Sequence, residues 1–120
     1  MNEGRLVDYI GSMQAAAEQA RMLTEDMDEL AFLSDIRTQL AVAMSLVLLG
    51  EAASRIAVKY PDFPSEHQDI SWAKIRGMLD LLLQDYDRAD QSAIWTAVRI
   101  DLPLLISQLD SLRRWRIQGE

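Results

Sequence analysis

The chain reads as all-α: an antiparallel four-helix bundle with an extra short connecting helix. Three observations predict this. Apolar residues recur at steps of three and four along most of the 120 residues. No segment alternates as a half-buried strand would. The breaks between periodic runs carry prolines, aspartates and serines, the residues that end and start helices. At this length the chain is one domain, 1–120, able to bury a core without staples.

The first helix carries a stripe of Leu6, Tyr9, Met13, Ala16, Ala20, Leu23 and Met27. "MDELAFLSD" is too short to stand alone and reads as a one- or two-turn connector. Asp35 is the expected N-cap of a second long helix running to about Lys59. Between Leu40 and Leu49 that helix is apolar almost all round, which predicts a central, buried element. "YPDFPSEHQDIS", with both its prolines, reads as a loop. Ser71 is the expected cap of a third helix, from Trp72 to about Gln84 or Tyr86. "DRADQS" breaks the chain, and Ser92 is the expected cap of the last helical stretch. Pro103 lies inside that stretch and should kink it or begin a new helix.

Charge and composition exclude several classes. With 12 basic against 19 acidic residues and a net charge of −7, the balance disfavours nonspecific nucleic-acid binding, which draws on Lys and Arg. Arg113, Arg114 and Arg116 read as a solvated last turn whose cations complement the helix dipole. The absence of cysteine rules out disulfides and thiolate metal sites. "MNEGRLVDYIGSMQ" lacks a signal-peptide layout. The run from Leu40 to Leu49 is half the ~20 residues of a membrane span. A cytoplasmic protein without membrane, metal or cofactor is the expectation.

Several phrases, in order, carry a resemblance: "RLVDYIGSM", "FLSDIRTQLAVAMSLVLLGEAASRI", "WAKIRGM" and "IWTAVRIDLPLLISQL". Together they resemble HepT-like proteins of the HEPN superfamily, from about Arg5 to Leu112. The resemblance implies a small helical bundle, commonly a homodimer. It also implies a metal-independent ribonuclease toxin, with a nucleotidyltransferase antitoxin as partner. The family's active motif is Arg, four residues, His, one residue, Tyr. The matching positions here are Leu79, Gln84 and Tyr86, so the spacing stands and two of the three functional side chains do not. Asp80 stands where the family often has Asn, Asp87 where it has an aromatic residue, and Ser45 where it commonly carries Asn.

Cleavage through a 2′-hydroxyl needs a group to take its proton and a cation to stabilise the crowded phosphorane. Gln84 cannot titrate and Leu79 offers no charge. Losing a general base alone costs ~10²–10⁴ in rate. The residues thus argue for an inactive homologue acting through protein contacts. One alternative is a binding module engineered on this scaffold. Another is a weak or conditional ribonuclease using Arg76 or Arg88 as cation. The resemblance also implies Tyr86 as a position that can receive an adenylyl group.

On a helix of about 100° per residue, Trp72, Ile75, Met78, Leu79, Leu82, Leu83 and Tyr86 share one broad face, with Leu81 opposite. The resemblance places the edge of that face at the dimer cleft. Leu79, Leu82 and Leu83, rimmed by Asp80, Gln84 and Asp87, are therefore the expected interface. Elsewhere the bland reading is preferred. His67 is a solvated loop histidine, and Glu66, His67 and Asp69 make no metal site. Trp72 and Trp95 are core, the methionines fill gaps, and Trp115 is the candidate for exposure. Glu51 reads as a buried carboxylate or, preferably, as the partner of a neighbouring helix.

Overall fold

The computed structural model describes the backbone of residues 2–119 and the side chains of residues 5–114. Trp115 and Arg116 lie outside the described side chains. Long helices α1 (Asn2–Thr24), α3 (Ile36–Lys59) and α5 (Trp72–Gln84) alternate with short helices α2 (Glu29–Leu33) and α4 (Asp62–Glu66). A 3₁₀ turn, Tyr86–Arg88, then leads into a composite last helix. It consists of α6 (Gln91–Thr96), a π turn (Ala97–Asp101) and α7 (Leu102–Gly119).

The long helices pack antiparallel in the order α7, α1, α3, α5. Gln14 of α1 donates to Asp110 of α7 at 3.2 Å, while Arg99 donates to the carbonyl of Thr24 at 3.4 Å. Ser45 of α3 donates to Gln19 of α1 at 3.4 Å. Phe63, just past α3, meets Trp72 at the first turn of α5 edge-on, centroids 5.9 Å apart. The end of α3 therefore lies beside the start of α5. Ile10, Met13, Ala17, Val42, Ala53, Ile56, Val98 and Leu109 make the solvent-free centre. The apolar periodicity reaches its purpose there: each helix turns one stripe inward.

Caps explain the starts, with two corrections to the sequence reading. Asp35 does cap α3, accepting from the Thr38 N–H at 3.2 Å. Ser71 makes no side-chain cap bond on α5. The cap of α6 is Asp90, accepting from the N–H groups of Ser92 and Ala93, because the Ser92 hydroxyl is drawn away to Glu29. A third difference concerns "YPDFPSEHQDIS", which contains α4. Pro64 is tolerated there because it sits in a first turn, where an N–H has no intrahelical partner anyway.

Pro103 stands second in α7, in the first turn after the π turn, so a helix does begin there while the chain stays helical across the junction. The Pro103 ring would meet the Arg99 carbonyl and it has no N–H to offer. The preceding turn widens instead, so that the Leu102 N–H reaches back five residues to the Ala97 carbonyl. Beside this turn, α5 stands apart from α7. A cavity of about 280 Å³ opens between them, lined by Leu46, Leu49, Ile75, Met78 and Leu105. The Lys74–Asp101 ion pair, 2.9 Å, bridges its mouth.

Helix α3 departs most from expectation. Val42, Leu46, Leu49, Ala53 and Ile56 are buried, but Ile36, Leu40, Met44 and Leu48 are 67%, 52%, 55% and 43% exposed. Glu51 lies on the same outer side, exposed and not buried, without an ion pair among the described residues. Among the described helices, α3 alone has the length and hydropathy of a membrane span, yet half of its most apolar window is buried in the bundle.

Candidate functional site: the end of α5 and the outer face of α3

The segment from Leu79 to Asp87 begins where α5 and α3 come closest. A Cβ placed on Gly50 would lie 2.6 Å from the Cβ of Leu79, so only glycine permits this contact. Leu79 and Leu82 are each 7% exposed and pack within the chain. Leu83, by contrast, is 61% exposed, and Asp80, Gln84 and Asp87 are exposed around it. The sequence grouped these leucines as one interface. The fold turns two of them inward and leaves Leu83 outside.

The helix stops at Gln84. The Asp85 N–H still reaches the Leu81 carbonyl, and the chain then tightens into the 3₁₀ turn. Asp85 pairs with Arg88 at 3.7 Å. Tyr86 is half-buried, its hydroxyl accepting from the Gln91 amide at 3.4 Å. The other end of that amide, Gln91 Oε1, is buried without a hydrogen-bond partner among the described residues. No imidazole serves this site. His67 lies before the start of α5, its ring 4.3 Å from that of Phe63 and its carbonyl accepting from Trp72 Nε1 at 2.9 Å. The rise along α5 from Trp72 to Gln84 is ~18 Å. Among the described residues no group of three His, Cys, Asp or Glu side chains is placed to hold a metal ion.

Leu83 lies on the same side of the α3–α5 contact as part of the outer side of α3. The cavity lies on the flank of α5 that carries Ile75 and Met78, and on the flank of α3 that carries Leu46 and Leu49. By helical projection Leu83 falls on the opposite flank of α5, and Leu40, Val47 and Met44 on the opposite flank of α3. Because the helices are antiparallel and Leu79 meets Gly50, Leu83 comes level with about residue 46. The result is an apolar face with charges at its border: Arg37, Glu51 and Arg55 on α3, Arg76 and Asp80 on α5. The sequence reading missed the α3 part. A helix apolar all round gives no periodic signal for which side faces out.

A separate cluster sits at the far end of α3. Arg5 donates to the Tyr9 hydroxyl at 3.0 Å, and the Lys59 ammonium lies 5.6 Å from the centre of the Tyr9 ring. Hydrogen bonds from Lys59 and Arg5 hold the Tyr9 phenol below its ordinary pKa. Ser45 is buried, its single hydroxyl hydrogen shared between the Ala41 carbonyl at 3.2 Å and Gln19 Oε1. Trp72 is core, while Trp95 is half-buried beside Phe32 and beneath the Arg99 guanidinium. Arg114 pairs with Asp110 at 2.9 Å.

Fold and candidate site together define a small all-α bundle in which the residues from Leu79 to Asp87 lie at the end of the third long helix, next to exposed apolar side chains of α3. Residues 13–112 match the family described as Ribonuclease HepT-like, and the chain belongs to that family. It is similar to the "Probable ribonuclease HepT" of Thermococcus cleftensis, 32% identical over 107 residues, covering 89% of this chain and 94% of the relative. A Methanocaldococcus jannaschii protein named as an RNase is 30% identical over 97 residues, covering 81% of this chain and 77% of the relative. No solved structure matches the chain at a significant level.

Proposed function

We propose that this HepT-like chain acts through protein contacts, as a homodimer, and not by the RNA cleavage that the family's motif performs. The observation that carries this is the exposed apolar stripe of Leu40, Met44 and Leu48 along α3, with exposed Leu83 on the neighbouring α5, beside positions 79 and 84, which offer neither a titratable base nor a cation. Scattered surface leucines are ordinary, but a contiguous apolar patch with a charged border is the anatomy of an interface. Chemistry supports the negative half. Leu79 is sealed against Gly50, and Gln84 is an amide that cannot accept a proton near neutral pH.

Light scattering across a concentration series tests the association. The expected mass is twice the 13.6 kDa of the chain. A monomer that persists to about 100 μM, well above a micromolar Kd, overturns the homodimer. The relatives' names favour a second reading, a ribonuclease that uses other residues. Its cation would be Arg76 or Arg88, the latter already paired with Asp85. RNA turnover that Arg76→Ala abolishes would establish it.

A further inference from the structure

We propose that α3 pairs with α3 of a second copy in antiparallel register, about a two-fold axis passing at Met44. This rests on the self-association proposed above and specifies which residues meet. In an isologous contact the same patch serves both copies, so residues equidistant from the axis face each other. With the axis at Met44, Leu40 faces Leu48 of the second copy, Leu48 faces its Leu40, and Met44 faces itself. Arg37 then faces Glu51, and Glu51 faces Arg37. All five side chains are on the exposed side of α3.

The charges select this arrangement. Neither Arg37 nor Glu51 makes an ion pair within its own chain among the described residues, so both are available. They sit ~10.5 Å on either side of the axis, at the border of the apolar stripe, where charges remain partly wet. A parallel pairing would set Arg37 against Arg37 and Glu51 against Glu51. An axis one turn later, at Leu48, would set Arg37 against Lys59 and Leu40 against the buried Ile56. An axis one turn earlier, at Leu40, would leave Glu51 facing a position beyond the start of α3. Only the Met44 axis joins apolar to apolar and positive to negative. Leu83, level with about residue 46, flanks that axis and extends its apolar area.

Charge reversal tests the register, because Arg37 and Glu51 are surface residues whose exchange leaves the core untouched. Arg37→Glu and Glu51→Arg should each raise the homodimer dissociation constant about tenfold, since each variant sets two like-charged pairs together. Mixing the two variants should restore association to within about threefold of the unchanged protein, because the mixed dimer has both pairs complementary. The doubly reversed chain should recover likewise. Sedimentation equilibrium at low salt reads all five samples, the unchanged chain included. If the unchanged chain is monomeric, the homodimer reading fails and the register with it. If the unchanged chain dimerises but the single reversals leave its dissociation constant alone, or the mixture stays weak, the Met44 register is wrong while self-association stands.

Discussion

Gly50 and Leu79 show how one contact constrains the approach of α5 to α3. With a Cβ on Gly50 lying 2.6 Å from the Leu79 Cβ, Gly50→Ala must push α3 and α5 apart. Overpacking of this kind costs about 1–3 kcal/mol. Adding Leu79→Ala should bring no rescue, since the Cβ it retains is the atom in the way. Urea denaturation of the single and double variants checks both statements. Asp35 offers a pH test at the same scale. The Thr38 hydroxyl and N–H both donate to its carboxylate, holding its pKa below the ordinary value. A carboxylate depressed in the folded state contributes stability above its unfolded pKa and loses it as pH falls through the folded one. Asp35→Asn should therefore lower the thermal midpoint at pH 6 and make little difference near pH 2. A gap that persists unchanged into acid contradicts the role of the charge.

At the scale of elements, α3 and α5 divide labour between core and surface. Leu83 is the exposed leucine of α5 on the proposed face, and Asp87 lies on its rim. Truncating an interface anchor costs ~2 kcal/mol or more of binding, against a few tenths for a rim charge. Leu83→Ala should therefore weaken dimerisation far more than Asp87→Ala, with the unfolding midpoint nearly unchanged in both. A loss of 2–5 kcal/mol in stability without a change in mass would mean that Leu83 is core after all. What the sequence disclosed about these elements follows from the same physics. The Leu6, Met13, Ala16 and Ala20 stripe was legible because polar residues interrupt it on the other side. The direction of α3 was not, because apolar residues surround it between Leu40 and Leu49. Pro103 signalled a disturbance without its form. A kink, a new start and a π turn all relieve the same clash, and here a π turn precedes the start of α7.

Across the whole molecule, the antiparallel bundle and its family were readable from spacing and phrase order, since both depend on many residues at once. The candidate site was readable only in part. The motif positions Leu79, Gln84 and Tyr86 could be placed by resemblance, but which leucines of the segment turn outward depends on the fit of α5 onto Gly50. The outer face of α3 became visible only once its neighbours were in position. These two features, motif positions without acid–base chemistry and an apolar face beside them, carry the central claim that the molecule has the bundle without the cleavage. The most direct measurement is cleavage of a labelled RNA by the unchanged chain and by Leu79→Arg/Gln84→His, side by side at equal concentration. The RNA should stay intact with the unchanged chain. The double variant restores a cation and a titratable base at the family's spacing and, where circular dichroism shows that the bundle accepts an arginine at the buried position 79, should cleave it by at least ~10² in rate over the unchanged chain. Turnover by the unchanged chain that disappears with Tyr86→Phe would contradict the account.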